Sequence, residues 1–348
     1  MSAERFVDAV AGDAAQRLPE PVWRYLSQGA REGVSVAEAT AAWDRFRFLP
    51  QVLRDVTRVH TRTTLLGTPV QTPLAVAPTT MQRALDPDGE VAMARACAAS
   101  GALMVLSSNA GSTVEDVAAT GVHWWLQLYV TAERRACLPL LERAVAAGAE
   151  AVVLTADTPV VGTKYDGPGP TVWDLAEPGW VRAGFARDDP DPRVSAGLEK
   201  ATDLGPHDVD WVARSTGLPV VVKGVLRPGD ARRCLDAGAT AIWVSNHGGR
   251  QLDYAAATAE CLGAVVAEVG AAAEVYVDGG IRNARQALVA LALGARGVFL
   301  GRLPLYALAV GGSDAVVAMF AELGDELHDA LRLTGCPTVS QLPEDLVR

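Results

Sequence analysis

Three turns of this chain are near copies of one another. Each sets a glycine between the end of a helical stretch and the start of a β-rich apolar run. Ala146-Ala-Gly-Ala149 leads into Ala151-Val-Val-Leu-Thr155, Asp236-Ala-Gly-Ala239 into Ala241-Ile-Trp-Val-Ser245, and Ala292-Leu-Gly-Ala295 into Gly297-Val-Phe-Leu-Gly301. Glycine just past a helix takes the left-handed cap conformation, so the helix stops there and the next strand begins at once. A helix-turn-strand unit that recurs in this way predicts consecutive parallel strands joined by right-handed helical crossovers.

Eight such runs follow from residue 73 onward: Leu74 to Ala77, Leu103 to Leu106, Trp124 to Leu128, Ala151 to Thr155, Pro219 to Lys223, Ala241 to Ser245, Val275 to Asp278 and Val298 to Gly301. Most are apolar throughout instead of alternating, as expected for strands covered by helices on one side and closed around a core on the other. Amphipathic stretches such as Pro87 to Ser100, Glu133 to Ala147, Pro228 to Ala237 and Asn283 to Leu293 lie between them. The fold class is therefore α/β, a (β/α)8 TIM barrel over 73–348, in one domain with an N-terminal helical cap over 1–72. In that cap, prolines open a helix from Pro19 to Gln28, and Ser35-Val-Ala-Glu38 reads as a capping box opening another. The one long connection, 164–205, carries Trp173, Trp180 and Phe185 among many Pro, Gly and Asp, and is expected to be an active-site lid loop.

Composition excludes several functions. A formal charge of −10 argues against a nucleic-acid surface, which needs a basic stripe. No apolar run approaches the roughly 20 residues of a membrane span, and the N-terminus lacks the order of a signal peptide, so a cytoplasmic protein is expected. The five cysteines form no Cys-x-x-Cys pair, and His60, His123, His207 and His328 have no second His or Cys at ligand spacing, so no protein-built metal site is expected. Neither a P-loop nor a Gly-x-Gly-x-x-Gly after a strand occurs.

In a barrel the C-terminal strand ends form the active face. Here they carry Pro78-Thr79, Ser107-Ser108, Gln127 with Tyr129, Thr155 with Asp157, Lys223, Ser245 with His247, Asp278-Gly-Gly280 with Arg282, and Gly301-Arg302. Polar groups at all eight ends point to a large polar ligand across the mouth. The stretch Ser245-Asn-His-Gly-Gly-Arg-Gln-Leu-Asp-Tyr254 sets a base, His247, three residues from an anion-binding fork, Arg250, which suits removing a proton beside a carboxylate. Glycines after the last two strands, with Arg282 and Arg302, read as a phosphate site. Of 31 basic residues only Lys164, Lys200 and Lys223 are lysines, and Lys164 and Lys223 fall next to the mouth.

With these motifs in order, the chain resembles the FMN-dependent α-hydroxy acid oxidases and dehydrogenases, from Pro19 to Cys336. Ala77-Pro-Thr, Leu106-Ser-Ser, Gln127-Leu-Tyr-Val, Thr155-Ala-Asp-Thr-Pro, Val222-Lys-Gly, the Ser245 stretch, Asp278-Gly-Gly-Ile-Arg and Leu300-Gly-Arg all stand intact. The resemblance implies FMN with its phosphate at Gly280, Arg282, Gly301 and Arg302. Its ribityl chain would lie near Asp278 and Lys223 and its ring against Thr79, Ser107, Gln127 and Thr155, with Pro78 and Ser245 also in the cofactor site. Lys223 would face the ring where negative charge collects on reduction. His247 would be the general base, with Asp157 holding its ring. Arg250 would bind the substrate carboxylate, and Tyr25 and Tyr129 would hydrogen-bond substrate oxygens. Proton abstraction to a carbanion and hydride transfer share this geometry, and both give a 2-keto acid.

Two positions depart from the family pattern. Lys164 stands where a second carboxylate-binding arginine is expected, and Asn109 stands where glycolate oxidase has a bulky tryptophan, which should enlarge or re-polarise the side-chain pocket. The leading expectation is oxidation of an L-2-hydroxy acid larger than glycolate, in a homo-oligomer (a tetramer by resemblance), with oxygen or a diffusible acceptor taking the electrons. Alternatives are a tailoring oxidase whose hydroxyl or amine substrate has no carboxylate at Lys164, and an FMN-dependent isomerase or non-oxidising flavoprotein.

Overall fold

A computed structural model describes residues 5–177, 179–185 and 198–348. Eight parallel strands close into a barrel: β1 Leu74–Val76, β2 Met104–Ser107, β3 Trp124–Leu128, β4 Val152–Thr155, β5 Val220–Val225, β6 Ala241–Val244, β7 Glu274–Val277 and β8 Gly297–Leu300. Closure is the pairing of β8 with β1, in register Val298 to Leu74. Each strand lies where its apolar run predicts it, within two residues at the ends.

The runs hide an alternation that shows only in three dimensions. Ala75, Val105, Trp125, Val153, Val221, Trp243, Tyr276 and Phe299 form one cluster inside the barrel, while their neighbours Leu74, Val76, Met104, Leu106 and Leu154 join the layer beneath the helices. Side chains alternate faces along a strand, and when both faces are dry the sequence shows no alternation in polarity. Four aromatic rings fill the interior, with Trp243 and Phe299 centroids 3.9 Å apart.

The front segment is only partly the helical cap expected over 1–72. Helices α1 Phe6–Arg17, α2 Glu20–Ser27 and α3 Val34–Trp43 are followed by an antiparallel hairpin, Thr63–Leu65 with Thr68–Val70. Its Leu65 and Val70 belong to the interior cluster, and a Cβ on Gly297 would come within 2.8 Å of Leu65. The turn places Leu66 and Gly67 at positive φ, 46° and 83°. Leucine is a poor occupant of that region, so Leu-Gly gives none of the usual hairpin signal.

The expected capping box is also corrected. Helix α3 begins two residues earlier, with Gly33 as N-cap, and the Ser35 hydroxyl donates to Ala255 O at 3.0 Å instead of capping. The open N–H groups of Gly33, Val34 and Ser35 are taken by the carboxylate of Asp253, 218 to 220 residues away. An acid there also suits the positive end of the helix.

Among the described residues, Arg302–Thr334 is long and apolar enough to cross a membrane by length and composition. It departs from helical geometry at Gly311 and Gly312 and packs against α1 and the helix Gly89–Ser100.

Candidate active site

His247 follows β6 in a short turn, with φ 58°, an uncommon backbone state for a residue bearing a Cβ. Its N–H donates to Ser245 Oγ at 3.0 Å. In the ring, Nδ1 lies 2.9 Å from Asp157 Oδ1 and 3.3 Å from Thr158 Oγ1, while Nε2 lies 3.4 Å from the Tyr129 hydroxyl. Asp157 reaches this position because the next strand carries glycine there. A Cβ on Gly224 would come within 2.6 Å of Asp157, and Gly224 itself has φ 107°.

Charge fixes the proton's place. Burial alone would raise the Asp157 pKa, but His247, by charge and hydrogen bond, and Lys223 outweigh it and hold the pKa at about 2. Burial pushes His247 below its ordinary 6.5, against the pull of Asp157. At neutral pH the ring is therefore neutral beside a carboxylate. Nδ1 carries the hydrogen that Asp157 accepts, and Nε2 keeps a lone pair on the pocket side. Burial, then the Asp157 charge, raises the Tyr129 phenol well above its ordinary range, so it stays a donor.

Three residues expected to face the cofactor, Gln127, Thr155 and Ser245, stand behind the pocket wall instead, and so does Asp157, expected there behind the His247 ring. Ser107 Oγ donates to Gln127 Oε1 at 3.0 Å, and Gln127 Nε2 donates to Thr155 Oγ1 at 3.0 Å. Lys223 Nζ donates to Ser245 Oγ at 2.8 Å and lies 3.1 Å from Asp278 Oδ2, and Ser245 Oγ donates to Asp278 Oδ1 at 2.6 Å. These buried chains fix Ser107, Lys223 and Asp278, which do reach the wall beside Pro78 and Thr79.

The pocket holds about 470 Å³ at the C-terminal barrel face, an ordinary size for a cofactor or ligand site. Among the described residues, eight Lys and Arg side chains and two carboxylates line it. Arg302, expected at a phosphate, donates to the carbonyls of Leu26, Gln28 and Gly248 at 2.8–3.0 Å. Arg250 donates to the carbonyls of Tyr25 at 2.6 Å and Gln28 at 3.0 Å, with its guanidinium 4.8 Å from the Tyr25 ring centroid. Both arginines thus satisfy the open carbonyls at the C-terminal, negative end of α2. That role was invisible in the sequence.

Glycines after β7 also have a second reason to be there. A Cβ on Gly280 would come within 2.2 Å of Ala39 O, and Trp43 Nε1 and Thr40 Oγ1 donate to the carbonyls of Gly279 and Gly280. Helix α3 needs the bare backbone as much as any ligand does.

On the substrate side, Lys164 Nζ donates to Gly162 O at 2.7 Å and to Arg250 O. Burial, then Arg250, lowers its pKa to about 8. Tyr25 packs edge-on against Trp173, and Asn109 lies on the wall, its carbonyl accepting from Thr80 Oγ1. The expected lid loop 164–205 supplies Lys164, Asp166, Trp173 and Arg182 to the wall, while 178 and 186–197 lie outside the described residues. Sequence reading left two residues unassigned: Thr158, and Lys200, whose ammonium stands 3.7 Å from the Tyr129 ring centroid. The scarcity of lysine was the signal that would have found Lys200.

The FMN-dependent dehydrogenase family model matches residues 14–348. The chain belongs to the FMN-dependent dehydrogenase family. It is 38% identical to glycolate oxidase 3 of Oryza sativa subsp. indica, covering 96% of this chain and 93% of that protein. It is 40% identical to L-lactate oxidase of Roseobacter sp. strain GAI101, covering 96% and 92%. A solved mandelate oxidase with (S)-4-hydroxymandelic acid superposes with a TM-score of 0.88 at 36% identity, covering 96% of each chain. Another, carrying a C4a-OH-FMN adduct, gives 0.84 at 38% identity, covering 95% and 96%.

The family's cofactor is FMN, and the residues present fit it. Arg282 and Arg302 both have pKa values lowered by burial, and among the described residues neither has a carboxylate within ion-pair distance. Carbonyls solvate a buried guanidinium but leave its charge uncompensated, so a phosphate beside Gly280 and Gly301 meets a standing need. Lys223 and Asp278 form a pair at the wall, which would offer a ribityl hydroxyl or a flavin ring edge both a donor and an acceptor.

Proposed function

We propose that the protein oxidises an L-2-hydroxy acid to the 2-keto acid. FMN, when bound, supplies the two-electron acceptor. His247 Nε2 takes a proton from the substrate, and Asp157 stabilises the imidazolium that forms. Tyr129 donates to a substrate oxygen beside Nε2. Arg250, with Nε and Nη2 not committed to the α2 carbonyls, binds the carboxylate, and Tyr25 flanks it. The observation that carries this reading is the His247 ring, held by Asp157 on one nitrogen and, beside the Tyr129 hydroxyl, facing the pocket with the other.

Asn109 on the wall supports a substrate larger than glycolate, and oxygen or a diffusible acceptor completes the cycle. A substrate without a carboxylate at Lys164 is the second reading, supported by the turn of that ammonium onto two carbonyls. The deciding experiment mixes FMN-loaded protein anaerobically with a panel of 2-hydroxy acids. Bleaching of the flavin by at least one supports the reading, and a yellow protein that none of them bleaches overturns it.

A further inference from the structure

All three lysines of a chain that otherwise uses arginine line one pocket. Lys223 is paired with Asp278, and Lys164 rests on two carbonyls. Lys200 differs from both. Its backbone is pinned to the segment leaving β3: Ala132 N donates to Glu199 O and Ala201 N donates to Val130 O, each at 2.8 Å. The side chain is thereby carried over the Tyr129 ring. Among the described residues its ammonium has no hydrogen-bond acceptor and no carboxylate within ion-pair distance.

A ring face offsets only part of the cost of removing an ammonium from water, and it neutralises no charge. Lys200 stands at a particular place in the pocket. Asn109, Tyr129, Arg182 and Lys200 line both the main pocket and an adjoining recess of about 20 Å³. This is the side of the site where Asn109 replaces a bulky ring, so polar space and positive charge coincide.

The charges on the wall lead the same way. With Arg24 paired with Glu20, Lys223 paired with Asp278, Arg282 and Arg302 serving a phosphate, and Arg250 and Lys164 at the substrate's first carboxylate, Lys200 remains, sharing the recess with Arg182. Burial lowers the Lys200 pKa to about 8, and the neighbouring Arg182 and Lys164 add to the effect while Asp157 opposes it. An ammonium held at such a cost gains most from an anion beside it.

We infer that the substrate carries a second anionic group, a carboxylate or phosphate at the end remote from its 2-hydroxy acid, and that Lys200 binds that group. The inference rests on the reading of this pocket as a 2-hydroxy acid site and specifies which acids enter it. A lysine suits the role because its compact ammonium meets either oxyanion without demanding a planar, two-pronged geometry.

The test is calorimetric titration of the FMN-loaded protein with acids that have no hydroxyl to oxidise. Glutarate is compared with pentanoate, and 3-phosphonopropionate separates phosphate from carboxylate as the preferred group. The doubly charged acids are expected to bind at least about tenfold tighter, or 1.4 kcal/mol. Lys200→Met should cut that ratio to about twofold or less, and Lys200→Arg should restore most of it. The wild-type ratio should also fall as salt is raised, which needs no variant to fold. Equal affinity for glutarate and pentanoate in the wild type, or a preference that Lys200→Met leaves intact, overturns the inference. Because binding is read without turnover, a protein that no 2-hydroxy acid reduces would lose the proposed reaction while calorimetry still decides the second anion.

Discussion

His247 Nδ1 lies 2.9 Å from Asp157 Oδ1, and the carboxylate is held at a pKa of about 2. The pair orients a neutral imidazole with its other nitrogen on the pocket side, beside the Tyr129 hydroxyl. His247→Ala should leave the protein folded and yellow but lower turnover by at least about 10²-fold, the lower range for loss of a general base. Anaerobic stopped-flow reduction checks this. A near wild-type rate would reduce His247 to a turn residue.

Asp157→Asn should shift the pH profile as well as slow the reaction. Burial already lowers the His247 pKa, and the Asp157 charge is what opposes it. Without that charge the folded pKa falls further, so the ring stays neutral to lower pH. The acid limb of kcat/KM, already below 6.5 in the wild type, should move down while the plateau drops. An unmoved limb would separate Asp157 from the base.

Lys164, with its pKa lowered to about 8, is charged below that value and loses its proton as pH rises through it. If it holds the substrate carboxylate, KM should rise above about pH 8. Lys164→Met should raise KM at every pH, and Lys164→Arg, which stays charged, should keep affinity and remove the alkaline limb. Damage from Lys164→Arg to the native reaction, with gains on lactate or mandelate, would favour a substrate lacking that carboxylate.

Arg282→Ala should weaken FMN retention with little change in KM for the acid, and Arg250→Ala should do the reverse. Flavin release on dilution and steady-state kinetics separate the two. Arg302→Ala should both release flavin and lower Tm, because its guanidinium also bridges Leu26, Gln28 and Gly248. Equal flavin loss in Arg250→Ala and Arg282→Ala would undo this division.

Much of this molecule could be read along the chain. Barrel strands are local: an apolar run between a glycine-capped helix and a polar end carries its own conformational signal, and eight of them in a row leave few topologies. Because the C-terminal strand ends of a barrel converge, the same local reading brought His247, Arg250, Lys223 and Arg282 to one face before any contact was known. What tertiary structure alone decided is which groups meet across that face. Asp253 caps α3 from more than 200 residues away, Arg302 and Arg250 close the end of α2, and Gly224 leaves room for Asp157. Ser245, Gln127 and Thr155 are turned into buried hydrogen-bond chains, whereas Lys200 is carried to the wall. The physical reason is range. Propensity and periodicity act over a few residues, but a hydrogen bond or an ion pair forms between atoms a few ångströms apart, and barrel closure brings together residues that sequence position keeps far from one another.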